Sequence, residues 1–102
     1  MTEATLSKLH GLVATYEKLI ELLKEADDEQ LATVADSVTR SLAQLNEMLA
    51  VEVDSKTSRE MLKGLRQGLR ETPELIASIA PERSAKLVSE FEDKLGCKFS
   101  DY

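Results

Sequence analysis

The sequence predicts an all-α fold, a small antiparallel helical bundle, and three observations carry that prediction. Apolar residues recur in alternating steps of three and four along most of the 102 positions, which is the period of a helix with one buried stripe. No stretch shows the strict apolar/polar alternation of a half-buried strand, and no internal repeat is visible. Asp, Ser, Thr, Pro and Gly gather at the breaks between the periodic segments, where helix caps belong. A chain of this length reads as one domain over residues 1–102, with 96–102 a short tail, and it buries roughly two thirds of the surface its unfolded form exposes.

The first element is a long helical hairpin over about residues 3–50. Leu6, Leu9, Val13, Tyr16, Ile20 and Leu23 follow a seven-residue repeat, and Leu12, Leu19 and Ala26 widen the stripe beyond a two-stranded seam. The segment "ADDEQLA" interrupts it: Asp27 or Asp28 is the expected N-cap, with Gln30 spaced as a capping-box partner of Asp27. Leu31, Val34, Ala35, Val38, Leu42, Leu45, Met48 and Leu49 then share one face of a second helix. So short a link makes the two helices antiparallel neighbours. "VEVDSKTS" loses the period and reads as the next loop.

A third helix is expected over about 56–71, with Thr57 and Glu60 at capping-box spacing and Met61, Leu62, Leu65 and Leu69 as its apolar face. Thr72 before Pro73 reads as a cap followed by a helix-starting proline, which predicts a separate short helix over about 73–80. Leu62, Leu65, Leu69, Thr72, Ile76 and Ile79 nevertheless keep one apolar phase across the proline, so a kinked continuation is expected as readily as a clean break. Pro81 opens a last helix over about 82–95, with Leu87, Val88, Phe91 and Leu95 inward and Gly96 as its C-terminal cap. The tail "CKFSDY" holds two of the four aromatic residues, so it is expected to fold back or to meet a partner.

Composition narrows the function classes. Hydrophobic residues at 42% and charged residues at 31% place the chain among globular proteins. A single cysteine, Cys97, and a single histidine, His10, leave no set for a disulfide or a structural zinc, and no cofactor or metal is expected. The amino-terminal residues lack a basic region leading into an apolar run, and no segment reaches membrane-spanning length, so a reducing cytoplasmic location without membrane contact is expected. The net charge of −6 is uneven: residues 1–54 hold 4 basic and 11 acidic residues, residues 55–102 hold 9 and 8.

His10 draws attention as a candidate reaction centre, but its heptad companions are Glu3, Glu17 and Lys24, the polar flank. A catalytic imidazole needs an orienting acceptor, and the helical contact positions are Leu6, Ser7, Val13 and Ala14. It reads as a solvated residue at the edge of the stripe. Cys97 beside the carbonyl end of a helix reads as an ordinary thiol, and the carboxylate pairs as solvated faces. No catalytic residue is assigned, and the chain is expected to be no enzyme.

Two features remain. Lys56, Arg59, Lys63, Arg66 and Arg70 recur at three and four residues and form one basic ridge turned away from the Leu62/Leu65/Leu69 face. Like charges so spaced repel. The expected resolution is the acidic ridge Glu17, Glu21, Glu25 and Asp28 of the first helix, or an acidic protein partner, and these five are the candidate partner-binding residues. Net negative charge and few aromatics disfavour nucleic acid, which stays the weaker reading for this ridge. Gly64 and Gly68 form a G-x-x-x-G expected to admit close approach of another helix.

Two family resemblances bear on function. "ADSVTRS", residues 35–41, is faintly similar to the A-H-S-L-K-G-S-like segment of histidine phosphotransfer domains. Asp36 stands where that histidine would be, Thr39 where the lysine and Arg40 where the glycine would be, so the resemblance implies at most an inactive or atypical relative. In size, charge and heptad character the chain also resembles small bacterial helical export chaperones such as the flagellar type, with no diagnostic motif. The function expected overall is a non-enzymatic helical module, adaptor, chaperone-like or regulatory, that binds a protein partner through helix faces, with a homodimer possible on grounds of size.

Overall fold

The computed structural model describes residues 3–51 and 53–102. Met1, Thr2 and Glu52, which belong to the expected amino-terminal segment and interhelical loop, lie outside the described residues. Four α-helices follow in chain order: α1 (Glu3–Glu25), α2 (Glu29–Leu49), α3 (Ser55–Ile79) and α4 (Ser84–Leu95). A single 3₁₀ turn at Phe99–Asp101 comes after them. α1 is the axis of the bundle, with α2 folded back along one side and α3 and α4 packed on the rest. The body measures 43 × 24 × 19 Å, and its long dimension is set by three helices of 21 to 25 residues, about 31 to 38 Å at 1.5 Å per residue.

Many of the periodic positions form the core, although Met48 of the expected α2 face is exposed. Leu9, Leu12, Val13, Leu19, Ile20 and Leu23 of α1 are buried against Leu31, Ala35 and Leu42 of α2, Leu69 and Ile76 of α3, and Leu87 and Phe91 of α4. The α1–α2 break turns on Asp28, which is the N-cap of α2: its carboxylate accepts from the backbone amides of Gln30 at 2.9 Å and Leu31 at 3.1 Å. Asp27 instead takes the left-handed conformation, φ 55°, so it cannot cap and Gln30 is not its capping-box partner. In α3 the cap likewise moves one turn forward. Asp54 accepts from the Thr57 amide at 2.7 Å, which makes Thr57 the donor and displaces the expected Thr57/Glu60 box. These contacts hold the Asp54 carboxyl below its ordinary range, because the amides favour the anion.

Of the two readings open at Pro73, the continuous helix holds and the separate short helix over 73–80 does not. One helix runs from Ser55 through Pro73 to Ile79. A proline in a helix interior deprives the carbonyl four residues back, here Leu69, of its donor and costs ~3 kcal/mol. Leu69 and Ile76, on opposite sides of the proline, are both completely buried, and Thr72 nearly so. Each such apolar side chain gains ~1.5–3 kcal/mol on burial, so keeping the two in phase offsets the lost bond, whereas a break would turn Ile76 off the core. The Thr72 hydroxyl donates to the Gly68 carbonyl at 2.9 Å and is satisfied within the helix. The last helix also starts two residues later than expected, because Pro81–Arg83 form a turn.

Both remaining ends are closed by groups distant in sequence. Arg83 sends its guanidinium back to the carbonyl of Ala26 at 2.6 Å, satisfying an orphan acceptor at the C-terminus of α1 with a cation that suits the helix dipole. Gly96, at φ 76°, caps α4 in the left-handed conformation and donates to the Glu92 carbonyl at 2.9 Å. The Glu92 carboxylate then accepts from the Phe99 amide at 2.8 Å. That tether folds the tail inward, and Phe99 is fully buried in the core.

Candidate interaction surface

α3 presents two different flanks, and 100° per residue separates them on either side of the buried Leu69 row. One flank carries the basic ridge and the other faces α2.

On the first flank Lys56, Arg59, Lys63 and Arg70 are exposed and Arg66 is half-buried. The Arg59 side chain donates to the Ser55 carbonyl of its own helix at 3.2 Å, and Arg70 to the carbonyl of Tyr102 at 3.3 Å. The expected pairing with the acidic ridge of α1 does not occur: among the described residues one ion pair forms, Lys94 with Glu25 at 3.8 Å, and both partners are exposed. The fold therefore brings the five basic residues onto one surface, and among the described residues no side-chain carboxylate lies within ion-pair distance of them.

On the second flank the helices do not close. α2 and α3 each pack closely on α1 but barely touch one another, and the seam between them opens into two cavities of about 310 and 320 Å³. Tyr16 of α1 and Val38 of α2 border both, so the cavities are consecutive compartments of one groove. Leu19, Leu23, Val34 and Leu75 line the first; Leu42, Leu45 and Leu65 line the second. Val34, Val38, Leu45 and Leu65, all read from sequence as core, are only half-buried, and Leu75 is 41% exposed. From Val34 to Leu45 the groove follows α2 for about 16 Å, three helical turns.

The floor of the groove is held by one hydrogen bond. The Tyr16 hydroxyl donates to the Leu65 carbonyl at 2.8 Å, joining α1 to α3. Burial, and secondarily the Glu71 charge, push this phenol from 10.0 up to about 12. The approach is close because position 68 is glycine: a Cβ there would fall on the Tyr16 hydroxyl, whereas a Cβ at Gly64 would meet nothing within 4 Å. The expected close packing at G-x-x-x-G is thus realised by a tyrosine, at its second glycine only. Small side chains also edge the α2 wall, where Ser37 and Ser41 border the second cavity.

Polar chemistry in the groove is used up internally. Tyr16 and Thr72 hydroxyls donate to backbone carbonyls, and among the described residues no buried side-chain polar atom lacks a partner. Glu71 is the one charged residue lining either compartment. His10, on α1, and Asp36, on α2, are both exposed and border neither compartment. Cys97 is a free thiol beside Asp101. Among the described residues no group of His, Cys, Asp and Glu is placed to hold a metal ion, and no helix is long and apolar enough to cross a membrane.

Docking of a partner helix in a groove is an expectation the sequence supports, but the place of the groove between α2 and α3 is not legible in it, and the residues that stand out there are those of the ridge. The available signal was a surplus of apolar positions on the second and third helices flanked by small residues, Ser37 and Ser41 on one and Gly64 and Gly68 on the other. No protein-family model, curated protein or solved structure matches the chain.

Proposed function

We propose that the chain is a non-enzymatic protein-interaction module that receives a helix of a partner protein in the groove between α2 and α3. The observation that carries this reading is the open seam: two contiguous apolar cavities along three helical turns, walled by two helices that barely touch one another. An amphipathic helix presents its apolar face at that spacing, and helix-in-groove docking is a general mode of peptide recognition. Exposed apolar side chains at Leu75 and Met48 extend the surface along both walls, as a binding surface requires and a closed bundle does not. The Tyr16 and Thr72 hydroxyls in the groove are both bonded to backbone carbonyls, which suits packing of an apolar face.

The basic ridge belongs to the same reading as a second contact. Among the described residues no side-chain carboxylate pairs with Lys56, Arg59, Lys63, Arg66 or Arg70, which favours an acidic surface on the bound protein over a purely internal role. A single unpaired cysteine suits a reducing compartment, and we place the protein in the cytoplasm.

The test is position-specific photo-cross-linking in the native cells. A photoreactive residue replacing Ser41, in the groove wall, is expected to capture one heterologous protein through a helical segment, and the exposed substitution Leu75→Gln is expected to suppress that adduct. The same residue placed at Glu82, away from the groove, is expected not to capture it. Adducts of equal yield from both positions, or from Ser41 none at all, would overturn the reading.

A further inference from the structure

We infer that the groove takes a helix of a different protein whose basic flank lies toward α3, and that it is not built for a second copy of this chain. This rests on the groove reading above and adds the chemistry of the occupant. Two compartments of nearly equal volume lie on either side of Tyr16. On α3 they are bordered by Leu65 and by Thr72, seven residues and about 10 Å apart. A matching helix places one large apolar residue in each, at positions i and i+7, with smaller apolar residues crossing the tyrosine between them.

Charge then distinguishes the flanks of that helix. The α2 wall is bordered by Ser37 and Ser41 and carries no charge, whereas the α3 wall carries Glu71, exposed at the rim of the first compartment. Glu71 lines the first compartment together with Tyr16, and one of its carboxylate oxygens accepts from the Gln67 side chain at 3.0 Å, which leaves the other for a cation on the occupant. The five cations of α3 lie on the opposite flank of the helix and cannot serve the groove. Two copies facing groove to groove, the arrangement that would cover both seams, would bring no cation from the residues that line the two cavities to either Glu71. A heterologous helix with Lys or Arg along one side completes the rim, and the neutral α2 wall leaves its other side unconstrained.

The experiment uses the full chain and three designed 14-residue helical peptides with one shared leucine face, differing only in whether the flank is Lys, Gln or Glu. Binding is read by fluorescence anisotropy. The Lys-flanked peptide is expected to bind about fivefold or more tightly than the Glu-flanked one at low ionic strength, the Gln-flanked one falling between. The gap is expected to narrow at ~0.5 M salt and to shrink to about twofold in Glu71→Gln, an exposed position at which the new amide oxygen can still accept from Gln67. Equal affinity for all three, with Leu75→Gln weakening all three, would overturn the charge inference while the groove reading stands. Binding of none of them would overturn the groove reading and this inference together. Sedimentation showing a dimer that Leu75→Gln dissolves would replace the heterologous helix by a second copy.

Discussion

The two seams that flank α3 are built from similar helices and end in opposite states. Toward α4 the seam is closed: Leu87, Phe91 and Phe99 are buried there, and Tyr102 packs over them half-covered. Toward α2 it is open, with Val34, Val38, Leu45 and Leu65 half-exposed around two cavities. Three of the four aromatic side chains lie on the closed side, and an aromatic residue buries 150–250 Å². The open side has one, Tyr16, and the groove around it is lined by leucine, valine, serine and glycine with no second aromatic ring. Burial of an apolar stripe is thus completed on one side by bulk drawn from the tail and left incomplete on the other for want of it.

The comparison breaks most readily at Phe99. Phe99→Ala empties a fully buried site and is expected to cost ~3–5 kcal/mol, measured by urea unfolding, and to bring the closed seam nearer to the condition of the open one. At Tyr16 the expected cost is smaller. Tyr16→Phe removes one hydrogen bond, about 1 kcal/mol at neutral pH. Because the phenol is raised from 10.0 to about 12 in the folded protein, its contribution is complete below pH 10 and is lost as pH rises toward 12. Denaturation curves of the wild type are therefore expected to weaken across that window more steeply than those of Tyr16→Phe, while Tyr102, shifted in the same direction, affects both alike.

The glycines give a sharper pair. Gly64→Ala is expected to stabilise by ~0.5–1 kcal/mol through helix propensity, since nothing obstructs the methyl group. Gly68→Ala is expected to forfeit that gain by displacing the Tyr16 hydroxyl, and to recover it in a Tyr16→Phe background, where the nearest remaining contact is an ordinary 3.6 Å. Calorimetric melting of the four combinations reads the coupling. The smallest effect is at Leu75. Leu75→Gln is expected to change stability by less than ~0.5 kcal/mol while weakening binding of any groove-seated helix, which separates a surface kept for contact from one kept for folding.

Much of the bundle was legible because each helix encodes its own buried stripe. Leu9, Leu31, Leu69 and Leu87 could be assigned inward without knowing their neighbours, and Gly96 could be assigned as a cap from the residue alone. What escaped were relations between segments. Pro73 reads locally as a break, and only the simultaneous burial of Leu69 and Ile76 keeps α3 whole. Arg83 is an unremarkable surface arginine until the carbonyl of Ala26 is brought to it from 57 positions away. The basic ridge was visible since it lies on one helix. The place of the groove was not, because the groove is the space left between two helices that separately look complete, and a half-filled heptad position is indistinguishable in sequence from a full one.

Tyr16 has one further consequence. The chain contains no tryptophan and two tyrosines, and one of them stands between the two compartments of the groove. A 3-fluorotyrosine-labelled protein would give two ¹⁹F resonances, one from Tyr102 beside the tail and one from the groove floor. Arrival of a helix would alter the ring-current and solvent environment of the second with little effect on the first. The residue that keeps α1 against α3 is in this sense a built-in optical and magnetic reporter, able to record occupancy without any probe attached to the partner.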